Sequence, residues 1–107
     1  MEYGIVNLNL IPVRKKNNAK SEMISQLFFG ETIEVVSKKN NWCLVISTLD
    51  NYKGWVRDSH FLSIPKLDYV KINRKQKKLL EEYQIEVEKD SKNPFSEYIN
   101  KVKEFFE

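Results

Sequence analysis

The chain has 107 residues, of which 41% are hydrophobic and 31% charged, with a net charge of +3. That composition is globular rather than disordered and suffices for one domain with an appendage. So small a charge does not argue for nucleic acid, the single cysteine excludes an internal disulfide or a cysteine-built zinc site, and no apolar run reaches membrane-spanning length.

Met1 to Gly4 enters a strand-like pattern directly, without a basic-then-apolar leader, so a cytoplasmic location is expected. Tyr3, Ile5, Leu8 and Leu10 alternate loosely. Pro12 is expected to break this strand, with Val13 and Arg14 resuming an extended path. Residues 15–20 form a polar loop. Met23, Ile24, Leu27, Phe28 and Phe29 then suit either a helical turn or a strand, closed by Gly30 as a turn glycine.

Residues 26–56 carry the strongest pattern. Runs of strand-forming residues at 32–37, 42–48 and 52–56 are separated by the polar turns 38–41 and 49–51, which reads as an antiparallel meander. In the middle run Cys43 and Val45 point one way and Trp42, Leu44 and Ile46 the other. Both faces are apolar, so two covers are needed. One is the domain's own core; the other is a ligand, another domain or the C-terminal segment. In the third run Tyr52, Gly54 and Val56 share a face opposite Trp55. Residues 61–64 read as a short closing strand.

The periodicity changes at Pro65. Ile72, Leu79, Leu80, Tyr83 and Val87 fall at helical spacing and predict a helix over about residues 73–90. Its basic start and acidic end oppose the helix dipole, so packing has to hold it. Asn93 and Pro94 read as N-cap and first residue of a second helix over about 94–106, with Phe95, Tyr98, Ile99, Val102, Phe105 and Phe106 on its apolar face.

Little in the chain suggests catalysis. Cys43 and His60 are the candidates for a thiol dyad, but Cys43 lies mid-strand and reads as a small buried apolar residue. His60 has no second histidine or acidic cluster arranged for a metal and reads as a surface or turn residue. Asp50, Asp58 and Glu34 form no recognisable acid–base pair, and no phosphate-binding glycine loop is present. No cofactor is expected.

Trp42, Tyr52 and Trp55 cluster around one hairpin, where aromatics either line a groove for peptides or sugars or fill a small core. For Tyr52 and Trp55 both readings stay open. Trp42 faces away from Cys43 and Val45, which favours a groove or an interface. Arg14 is the candidate to pin a carboxylate there. The run Arg74-Lys75-Gln76-Lys77-Lys78 is nearly cancelled by nearby acids and reads as a solvated helix face, so no nucleic-acid partner is expected.

Three ordered motifs then carry a family resemblance over residues 3–64: Val13-Arg14 with Ser21-Glu22-Met23; Gln26-Leu27-Phe28-Phe29-Gly30-Glu31; and Val35, Trp42 and Asn51-Tyr52-Lys53-Gly54-Trp55-Val56. Together they resemble bacterial SH3-like domains, and with Gly4-Ile5-Val6-Asn7-Leu8 they look like the N-terminal SH3-like domain of NlpC-type cysteine endopeptidases. Those enzymes cut peptidoglycan stem peptides between D-glutamate and a diamino acid. Their SH3-like domain flanks the cleft of a papain-like catalytic domain and helps to select the substrate's free N-terminal end.

The resemblance implies a mainly β architecture, a small, SH3-like, partly open β-barrel of five to seven strands over residues 1–64; the change of periodicity adds a helical extension over 65–107, which the resemblance does not cover. The catalytic motif is missing here and Cys43 does not match it. The expected role is therefore a non-catalytic module for cell-wall peptides, with Trp42, Tyr52, Trp55 and Arg14 as its ligand-binding residues. Its expected partner is a peptidoglycan stem peptide or a papain-like catalytic domain, and the oligomeric state is left open. Two alternatives remain: an adaptor that uses the apolar face from Phe95 to Phe106, and the N-terminal fragment of a peptidase.

Overall fold

A computed structural model describes residues 2–82 of the chain. Seven strands and one helix follow in order: β1 (Glu2–Val6), β2 (Leu10–Arg14), β3 (Met23–Phe28), β4 (Thr32–Lys39), β5 (Trp42–Ser47), β6 (Lys53–Arg57), β7 (Phe61–Ile64) and α1 (Lys66–Glu82). A single 3-10 turn, Asp58–His60, links β6 to β7. The strands form one antiparallel sheet in the order β3-β2-β6-β5-β4-β1-β7. The sheet curls but does not close, and β2 meets β6 in register only at Arg14 and Trp55.

The meander is β4-β5-β6. Its first turn is tighter than the polar run 38–41 implies, because Lys38 and Lys39 continue β4 and pair with Cys43 and Trp42. Asn40 makes the reversal at a φ of 57° and Asn51 makes the second at 55°. Asparagine tolerates this left-handed region better than most residues. The ambiguous segment after Ser21 is a strand, β3.

Pro12 does not break β2; it pairs with Gln26 inside the strand. Asn9 accepts a hydrogen bond from Phe29 N–H at 3.2 Å, so the bonds toward β3 fall on the odd-numbered residues of β2. The Pro12 nitrogen therefore faces the other side, where β2 is paired only at Arg14 and no ladder bond is lost.

One face of the sheet closes over Val6, Ile11, Val13, Leu27, Ile33, Val35, Cys43, Val45, Val56 and Phe61. These are the inward residues of the strand alternation, and neither tryptophan is among them. Gly54 permits the crossing of β2 over β6. A Cβ at Gly54 would overlap the Val13 side chain and lie 3.0 Å from the Arg14 carbonyl oxygen.

The helix departs from the expected pattern in its start and in its docking face. It begins at Lys66, not near residue 73, so Asp68 occupies the first turn and complements the dipole, while the basic run 74–78 lies within the helix. Its one buried residue is Gln76, at 1% exposure. Tyr69, Asn73 and Gln76, spaced four and three apart, form a polar row against the sheet. The Tyr69 hydroxyl lies 3.1 Å from Thr48 Oγ1, Thr32 Oγ1 donates to Asn73 Oδ1, and the Gln76 amide donates to the Gly30 carbonyl. The Tyr69 ring packs on Tyr3 with centroids 4.2 Å apart. Ile72, Leu79 and Leu80 are only half-buried. The expected continuation through Tyr83 and Val87, and the second helix over about 94–106, lie outside the described residues.

The close crossing at Gly54 sets a stability test. Gly54→Ala is expected to destabilise the domain by about 1–3 kcal/mol through overpacking against Val13, read as a lower urea midpoint with an unchanged m-value.

Candidate functional site

Antiparallel partners share a face of the sheet, so the register shows which side chains stand together. On the outer face one row runs Met23, Arg14, Trp55, Leu44 across β3, β2, β6 and β5. The next row pairs Arg57 with Trp42 and Trp42 with Lys39. Ile46 lies two residues from Leu44 on the same face, between Glu34 and Lys53. Two indoles, two aliphatic side chains and two guanidinium groups thus share one continuous surface.

Burial agrees with this alternation. Cys43, Val45, Gly54 and Val56 are buried, while Trp42, Leu44, Ile46 and Trp55 between them are half-buried. The core-or-groove choice for Trp55 therefore resolves to the outer face. The Arg57 guanidinium carbon sits 4.8 Å from the centre of the Trp42 ring, a cation–π contact. Arg14 donates from Nη1 to the Ser21 carbonyl at 2.9 Å, which fixes its side chain at the rim of the row. Its guanidinium has further N–H groups that this bond does not use.

Three of the four residues read from the sequence are brought together: Trp42, Trp55 and Arg14. Tyr52 is not placed with them. It lies in the turn before β6, 47% exposed, and the register gives it no position in either row. Its backbone serves the turn, donating to Asp50 Oδ1 at 3.2 Å and accepting from Ser47 N–H at 2.9 Å. Arg57 and Met23 belong to the surface but were not singled out. Arg57 was readable, since it stands two residues after Trp55 on the same face.

The second cover that β5 requires is divided. Tyr3, Ile5 and Thr32 occupy the same outer face, and α1 lies over that part, contacting chiefly β1 and β4. The part formed by β5, β6 and β2 carries the two tryptophans.

Cys43 and His60 lie in separate elements, β5 and the 3-10 turn. Cys43 is a free cysteine at 1% exposure, and burial pushes its thiol above the usual range. His60 lies in the 3-10 turn, where burial, helped by the charge of Arg57, lowers its basicity. Its Nδ1 is buried with no hydrogen-bond partner among the described residues. Among those residues there is no group of three or more His, Cys, Asp or Glu that could hold a metal, and no helix long and apolar enough to cross a membrane.

Residues 9–63 match the sequence model of a protein family described as Bacterial SH3 domain. The match spans β2 through most of β7 and leaves β1 and α1 outside. No curated protein matches the chain.

Two titrations follow from the buried groups. The Cys43 thiol is expected to resist alkylation at pH 8 in the native state and to react once urea unfolds the domain. For His60 the folded value lies below the unfolded one, so the unfolded state binds more protons in acid. Stability is then lost as pH falls through and below about 6.5, and His60→Gln should flatten that part of a pH–stability curve.

Proposed function

The chain belongs to the bacterial SH3 domain family, and from that premise we propose that its tryptophan face binds cell-wall peptides without catalysing their cleavage. Bacterial SH3 domains are a common kind of non-catalytic binding module, and SH3-type domains mediate protein or peptide interactions. The finer reading is a module of the kind that accompanies NlpC-type endopeptidases, presenting a peptidoglycan stem peptide to a papain-like partner domain.

The observation that carries this reading is the Arg14–Trp55 cross-strand pair beside the Trp42–Arg57 stack. A stem peptide is short, extended, poor in large side chains and rich in carboxylates. Indole faces offer such a chain apolar contact without requiring a deep pocket. The guanidinium groups of Arg14 and Arg57, on the β2–β6 side of the surface, offer its carboxylates charge-assisted hydrogen bonds. Arg14 is already oriented by the Ser21 carbonyl, so less side-chain freedom is lost on binding. The buried, weakly acidic Cys43 supports a role that does not include nucleophilic attack.

A titration of the full chain with purified muropeptides tests the proposal. The Trp42 and Trp55 indole resonances should shift together and tryptophan fluorescence should change. Arg14→Ala should weaken binding about tenfold or more, as the loss of a charged hydrogen bond does. Flat titrations with both muropeptides and intact sacculi would sink the reading.

A further inference from the structure

A second surface lies apart from the tryptophan face, between β7 and α1. Here the structure has a cleft of about 660 Å³. Ile5, Phe29, Leu62, Ile64 and Ile72 supply apolar lining, and α1 brings Lys71, Arg74 and Lys75 to it against one acid among the described residues, Asp68. Leu62 is 54% exposed although it sits over this apolar surface. Most of the lining comes from β1, the last residue of β7 and α1, all beyond the residues 9–63 that match the family. Most of the cleft thus lies outside the residues that match the family.

Two properties define what fits. First, β7 is the terminal strand of the sheet: it pairs with β1 and has no neighbour on its other side among the described strands. Such an edge offers backbone N–H and C=O groups to an added strand. Second, the cationic residues of α1 stand along one side of the apolar lining, so the complementary chain carries acids beside its apolar side chains.

We propose that this cleft binds an acidic, extended segment of a partner protein, which adds to the edge of β7, places an apolar side chain on Leu62, Ile64 and Ile72, and pairs its carboxylates with Lys71 and Arg74. The volume accommodates one or two large side chains and falls in the range typical of specific pockets. The attraction is electrostatic at an exposed rim, so it governs partner choice and declines with salt. This site does not depend on the cell-wall reading, because it shares no residue with the tryptophan face.

The probe is a fluorescein-labelled panel of peptides about eight residues long that alternate acidic and apolar residues, with lysine-substituted counterparts as controls. Fluorescence anisotropy and amide-shift mapping are carried out on the full chain. At least one acidic peptide should bind, its shifts should centre on Leu62, Ile64 and Ile72, and the lysine counterparts should not bind. Lys71→Glu with Arg74→Glu, and separately Leu62→Asp at an exposed position, should each weaken it about tenfold or more. The proposal is overturned by a panel that fails to bind, by equal binding of the lysine peptides, or by shifts centred on Trp42 and Trp55. It is also overturned if contacts measured in the free protein show the cleft filled by the chain's own residues 83–107 or by a second copy.

Discussion

The turn at Gly30 and Glu31 is the constraint on which the other elements depend. Gly30 adopts a φ of 85°, a conformation that side chains with a Cβ rarely take. Its N–H donates to the Val6 carbonyl at 2.8 Å, and Val6 N–H returns a bond to the Glu31 carbonyl at 2.9 Å, which locks the end of β1 to the turn. The Glu31 carboxylate is buried and accepts from Phe28 N–H at 2.6 Å and from the Ser47 hydroxyl at 3.3 Å. The Gly30 carbonyl receives the Gln76 amide from α1. One two-residue turn thus joins the ends of β1, β3 and β5 to the middle of the helix. Each bond contributes on the order of 1 kcal/mol net, but a donor or acceptor left unpaired there costs about 1–3 kcal/mol. These elements therefore hold together or separate together.

The division of the outer face follows from that anchoring. Gln76 is fixed at Gly30, and Asn73 and Tyr69 continue the row to Thr32 and Thr48, so α1 is held against the β1–β4 side. It cannot shift toward the tryptophans without leaving three polar contacts unmade. The same placement directs Lys71, Ile72 and Lys75 toward β7 and forms the second cleft. The helix therefore has two effects: it covers one half of an apolar sheet face, and it builds a charged wall beside the terminal strand.

Much of this was legible in the sequence because strand alternation has a period of two and leaves few choices. The opposition of Cys43 and Val45 to Trp42 and the placement of Trp55 opposite Gly54 and Val56 follow from it, while the turn at Gly30 is marked by the glycine itself. Pro12 departs from the expected strand break because its position relative to the unpaired side of β2 depends on register, which the local sequence does not contain. The start of α1 departs from expectation for a different reason. The hydrophobic stripe marks only the later part of the helix, whereas the docking row is Tyr69, Asn73 and Gln76 and meets threonine hydroxyls and a backbone carbonyl. Polar docking leaves no mark on hydrophobic periodicity. Tyr52 is close to the tryptophans in sequence but stands in a turn outside their face.

Strand alternation explains why the tryptophans stand outside the core. Where β2 crosses β6, Gly54 brings the strands so close that even a methyl group would collide with Val13. Among the described residues the interior is filled by valine, isoleucine and leucine, with Cys43 and one aromatic, Phe61. Neither Trp42 nor Trp55 belongs to this buried cluster, so they contribute little to the interior packing of the fold. Two half-buried tryptophans on one face, one covered by Arg57 and the other paired with Arg14, are not required by the core. Apolar surface grouped in this way and flanked by fixed cations is the arrangement expected of a recognition surface. The alternation that fills the interior with aliphatic side chains thus leaves both tryptophans on the outer face, beside Arg14 and Arg57.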